Sequence, residues 1–168
     1  MGFAESLSDQ RLLTLYAYWL SKRGGRAMPS RADIDPGDFR ALLPHILLVD
    51  VIDGGTDFRY RLVGTELERH LGRPVTGRLL SELVSGRYLD YMRSLYLTAI
   101  IEGVPVYSAN SFDDGRTGFA LIANFKRTYR LMLPLSRDGT TVDMVLCGQL
   151  FEPIRDRDAP DVLLVDRG

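Results

Sequence analysis

Two adjacent stretches leave the chain little freedom in how it folds. Ile46 to Ile52 is an apolar run rich in β-branched residues, which reads as a strand buried on both faces. Phe58-Arg59-Tyr60-Arg61-Leu62-Val63 alternates, placing Phe58, Tyr60 and Leu62 on one face and Arg59 and Arg61 on the other. Asp53-Gly54-Gly55-Thr56-Asp57 between them has the composition of a turn, so the two form a hairpin. Its apolar face needs a cover, which points to a sheet packed by helices.

The flanking sequence supplies the other elements. From Ser8, a plausible N-cap, Leu12, Leu13, Tyr16, Trp19 and Leu20 recur at three- and four-residue steps, giving one apolar stripe on a helix that Gly24-Gly25 ends. Such a stripe docks on the domain or on a second subunit, so Leu12, Tyr16, Trp19 and Leu20 are candidates for a dimer or partner interface. Asp35 caps a short helix with Pro36 at its first position, running to about Leu43 and broken by Pro44. Short helices are expected from Thr65 to about Leu71 and within Gly77 to Val84, and a longer one over Arg87 to Glu102 with Gly103 as its stop. Three further strands are expected at Val104 to Phe112, Arg127 to Ser136 and Val142 to Phe151. Pro134 suggests an edge or bulge in the second of these. Asp113 to Gly118 and Arg137 to Thr140 are turns, and Phe119 to Lys126 takes no assignment. The charged tail from Ile154, with its apolar Val162 to Val165, frays or pairs locally.

The expected fold class is α+β: a five-stranded antiparallel sheet with helices on one face and the N-terminal helix on the other face or on a second subunit. Residues 1–26 form a helical cap, 27–153 the domain and 154–168 a tail. Composition agrees, since 45% hydrophobic and 26% charged residues are the profile of a packed globule. With 21 basic against 22 acidic residues, no strong field draws nucleic acid or anionic lipid. The chain shows neither a secretion signal nor an apolar run long enough to span a bilayer, and its single cysteine suits a reducing compartment, so the expected location is the cytoplasm. Gly2 with Ser6 fits the short N-myristoylation pattern, a match common by chance.

The order of elements resembles a PAS fold, and the wording of several segments is similar to a bacterial PAS family of short stand-alone alphaproteobacterial proteins. The resemblance rests on Trp19, Lys22-Arg23-Gly24, Pro29-Ser30-Arg31, Asp33-Ile34-Asp35-Pro36, Leu43-Pro44, Phe58 through Thr65, Gly72-Arg73, Thr76-Gly77, Leu133-Pro134-Leu135-Ser136, Gly139 and Val142-Asp143-Met144. Arg-Tyr-Arg-Leu-Val-Gly-Thr is its most specific piece, and it covers roughly residues 10 to 152. It implies a small cavity between sheet and helices, dimerisation, and a sensing or protein-interaction role, without implying a particular ligand. With no output domain in the sequence, a signal passes to another protein.

Alternation and helical spacing nominate Phe58, Tyr60, Leu62, Tyr88, Met92, Leu95, Tyr129, Leu131 and Gln149 as ligand-binding residues; a one-residue slip would exchange several for their neighbours. Arg59 and Arg61 are assigned to outer-face salt bridges with acids of the docking helix. His45 and His70 lack a metal-ligand pattern and take surface or cap roles. Haem is disfavoured because the long helix lacks a histidine. A cysteinyl-flavin is disfavoured because Cys147 falls mid-strand, where it reads as a small buried hydrophobe. No nucleophile elbow or phosphate loop is present, so catalytic residues and metal ligands are left empty. The expected function is a regulatory sensory module, a homodimer that binds a small molecule, a signalling protein or both. The alternatives are a small cavity-containing enzyme or carrier and a ligand-free structural adaptor.

Overall fold

The computed structural model describes residues 2–111, 126–153 and 159–168. The expected hairpin forms from β1 (Ile46–Ile52) and β2 (Asp57–Val63), and the turn between them carries positive φ at Asp53, Gly54 and Gly55. With β3 (Val106–Asn110), β4 (Lys126–Leu135), β5 (Met144–Pro153) and β6 (Val162–Val165), these strands make one antiparallel sheet in the order β2-β1-β5-β4-β3-β6. The sheet has six strands rather than five, because the apolar tail cluster pairs with the outer edge of β3. Contacts outside the sheet also hold the tail. The Tyr16 hydroxyl donates to Asp166 (2.6 Å), and Arg167 pairs with Glu102 (3.1 Å).

On one face, here called inner, lie α3 (Thr65–Leu71), α4 (Leu80–Leu83) and α5 (Gly86–Glu102). The inner-face Phe58 stacks on Tyr96 of α5 at 4.8 Å between ring centroids. The other face carries α2 (Gln10–Lys22), which follows a single turn, α1 (Phe3–Ser6). Asp9 rather than Ser8 caps α2, its carboxylate accepting from the Arg11 amide at 2.8 Å. Leu12, Leu15, Tyr16 and Trp19 are buried beneath it. A Cβ on Gly148 of β5 would come within 2.9 Å of Leu12 and Leu15, so glycine is what lets α2 lie close on the sheet.

Several local expectations change for physical reasons. The chain from Pro36 to His45 is a 3₁₀ run kinked at Phe39. Asp35 caps it by accepting from the Gly37 amide, and it continues through Pro44. β4 is interior, yet β3 reaches only as far as the Val106–Met132 pair. Pro134 therefore lies beyond β3, where no described strand needs its missing N–H, and its carbonyl accepts from Trp19 Nε1 at 2.9 Å. The turn expected at Asp113 to Gly118 lies outside the described residues. Gly64, at the end of the Leu62-Val63-Gly64-Thr65 segment, passes so close to the Leu43 and Pro44 carbonyls that a Cβ would lie 2.3 and 2.4 Å from them.

Candidate functional site

Antiparallel partners share a face, so the strand register sorts every side chain of the sheet. Gly148, under α2, pairs with Leu131 and Ile46, which places Leu131, Tyr129, Leu133 and Leu146 on the α2 face. The alternate residues Arg130, Met132, Cys147, Gln149 and Phe151 face α3 to α5. On β3 the inner residues are Val106, Ser108 and Asn110.

A cavity opens on this inner face between β1, β2, β5, α3 and α5. Leu47, Tyr60, Leu67, Leu71, Tyr88, Met92, Gln149 and Phe151 line it, and at about 20 Å³ it has room for one water. Four of the nine nominated ligand residues, Tyr60, Tyr88, Met92 and Gln149, meet here. Phe58 and Leu95 are fully buried in the inner core and do not line the cavity. Three of the nominated residues lie elsewhere. Tyr129 and Leu131 face α2 by register. Leu62 is turned over by a bulge: the pairs Leu48–Leu62 and Val49–Tyr60 leave Arg61 as the extra residue, so Leu62 joins Leu48 on the α2 face. Perfect alternation would have kept it beside Tyr60.

Beside the cavity sits a buried polar cluster. Arg130 is 3% exposed; its Nη1 donates to Asn110 Oδ1 at 2.6 Å and its Nη2 to the Tyr88 hydroxyl at 2.9 Å, while Nε has no hydrogen-bond partner among the described residues. Burial pushes the Tyr60, Tyr91 and Tyr96 hydroxyls above their usual range, and the positive charge of Arg130 partly opposes that rise in all three. Burial likewise pushes the Cys147 thiol up to about 12, so it stays protonated and is a poor nucleophile. Arg130 is missing from the nominated set. Its signal was a lone charge among Tyr129, Leu131, Met132 and Leu133, in a strand too apolar to have a wet face.

The remaining candidates are spread apart. Arg61 pairs with Asp50 of the neighbouring strand at 2.8 Å, not with an acid of α2, and Arg59 is exposed. His70 packs its ring on Phe151 at 4.4 Å. Burial, then the nearby Arg11, hold His45 below its ordinary value. Among the described residues no cluster of His, Cys, Asp and Glu is arranged to hold a metal ion, and no helix is long and apolar enough to cross a membrane. Of the nominated interface residues, Leu12, Tyr16 and Trp19 are buried against the chain's own sheet, and Leu20 is 37% exposed.

The sequence pattern of the PAS domain matches residues 7–148. Among solved structures, the chain is similar to a sensory box sensor histidine kinase from Vibrio cholerae, at 17% identity and a TM-score of 0.47, over 70% of this chain and 90% of that one. No curated protein matches it.

Proposed function

Since the chain belongs to the PAS domain family, matched over residues 7–148, we propose that it is a sensory module that takes a small molecule between its sheet and its inner helices. The observation that carries this reading is the cavity where Tyr60, Tyr88, Met92 and Gln149 converge from three elements onto one apolar space. Tyr60 and Tyr88 bring hydroxyls and Gln149 an amide, the few polar groups that orient a ligand, while Leu47, Leu67, Leu71 and Phe151 supply apolar contact. PAS domains are generally sensory rather than catalytic, and the raised Cys147 thiol accords with a binding rather than a reacting site.

Native mass spectrometry of protein purified from its own host tests the reading. A co-purifying small molecule, lost in a Met92→Trp variant that fills the cavity, is the expected result. A ligand-free chain whose stability responds to no member of a metabolite library would overturn it.

A second reading is favoured by the surface. Leu163 on β6 is 53% exposed and Ile101 near the end of α5 is 78% exposed, and among the described residues no strand pairs with the outer edge of β6. Such an edge suits a second copy of the chain or a signalling protein that adds a strand. The subunit count in the same mass spectrum tests the homodimer.

A further inference from the structure

Arg130 is the one fully interior arginine whose charge the described residues leave without a carboxylate. Among the described residues its hydrogen bonds go to the neutral Asn110 and Tyr88, and its Nε–H meets no acceptor. A guanidinium keeps its charge throughout the physiological range, and burying such a charge without a counter-ion is costly. Several surface arginines of this chain, by contrast, pair with acids: Arg61 with Asp50, Arg69 with Glu66 and Arg78 with Glu82. Tyr88, which accepts from Arg130, also lines the cavity, and Gln149, the cross-strand partner of Arg130, lines it too.

We propose that the inner cavity takes a small monocarboxylate with an apolar body, its carboxylate bound by Arg130 through Nε and the adjacent Nη. This deepens the sensory reading and rests on it. One buried positive charge matches one negative charge, and the fork of a guanidinium matches the planar carboxylate. A phosphate would bring more charge than these groups neutralise. The apolar walls Leu47, Leu67, Leu71, Met92 and Phe151 select a short aliphatic chain or a single ring for the rest of the molecule. A cavity of about 20 Å³ admits such a body only if a wall moves. The wall built by Leu67 and Leu71 is α3, a helix of seven residues capped by Gly72 in the left-handed region.

The test pairs a ¹H–¹⁵N spectrum of the arginine Nε–H groups with a ¹H–¹³C spectrum of the methionine methyls of the full chain. Butanoate, hexanoate and benzoate are titrated in, with their primary amides and inorganic phosphate as controls. The expected result is a saturable downfield shift of the Arg130 Nε–H by at least one acid, with a Met92 methyl shift and no response to its amide. Arg130→Gln should weaken that acid about ten- to hundredfold. If that variant fails to fold, the wild-type Nε–H response decides alone. Amides that move the Met92 methyl without moving the Arg130 Nε–H would overturn the carboxylate and leave ligand sensing standing. Phosphate acting where the acids do not would also overturn it. Silence at both groups with every probe, in a protein that co-purifies with no small molecule, would overturn both readings.

Discussion

Two glycines set how closely the backbone can be approached, and they differ in what surrounds them. At Gly64 an added Cβ meets the Leu43 and Pro44 carbonyls at 2.3 and 2.4 Å, and these are backbone atoms of the 3₁₀ run that leads into β1, which cannot swing aside as a side chain does. At Gly148 the obstacles are the ends of Leu12 and Leu15 at 2.9 Å, which can change rotamer. Gly64→Ala should therefore cost about 3 kcal/mol or more, at or above the usual range for overpacking, and Gly148→Ala about 1 kcal/mol. Urea denaturation of both variants checks the order, and equal losses would contradict it. Cys147 offers a second residue-scale check. With its thiol pushed up to about 12 by burial, it should resist a disulfide reagent at pH 8 in the native protein and react only when urea opens the core.

Among the elements, α2 and β6 have the most to do with what the protein presents to others. The α2 stripe is spent within the chain, where Trp19 is fully buried and donates to the Pro134 carbonyl. Trp19→Ala should accordingly cost about 3–5 kcal/mol of stability before it affects any association. Urea unfolding compared with subunit count at low protein concentration separates the two effects. β6 covers the edge of β3, and its end is tied to α2 through Tyr16 and Asp166. Tyr16→Phe should cost about 1 kcal/mol. Deleting residues 159–168 should cost more and uncover β3, so that light scattering detects concentration-dependent association. A truncated chain that associates no more than the full chain would show that β6 does not shield an adhesive edge.

At the scale of the whole molecule, acid should weaken the fold through many carboxylates at once. Asp138 takes hydrogen bonds from the Thr141 and Thr140 amides and the Ser136 hydroxyl, which hold it at about 2 against an ordinary 3.8. Backbone amides and side-chain donors likewise hold Asp33 and Glu82 low, and the Arg69 guanidinium holds Glu66 low. A carboxylate held low in the folded state stabilises it fully above the unfolded value. That contribution fades as the pH drops below the unfolded value and is gone once it passes the folded one. Circular dichroism should therefore show stability level near neutrality, declining below pH 4, and for Asp138 still being lost near pH 2; Asp138→Asn should flatten the lowest part of that curve. Period-two and period-3.6 patterns, with turn residues between them, were enough to give the fold class, the hairpin, α5 and the inward aromatic residues, because such signals are local and additive along the chain. They also carried the family resemblance through the Arg-Tyr-Arg-Leu-Val-Gly-Thr segment, whose glycine is required by the backbone it passes. The rest depended on contacts between distant residues. A single bulge turned Leu62 away from the cavity, the pairing of β4 with β5 sent Tyr129 and Leu131 to the α2 face, and the tail gained a sixth strand only because β3 offered an edge. Arg130 became a candidate ligand group only once folding had enclosed its charge, because burial and pairing are properties of the packed chain and not of any segment of it.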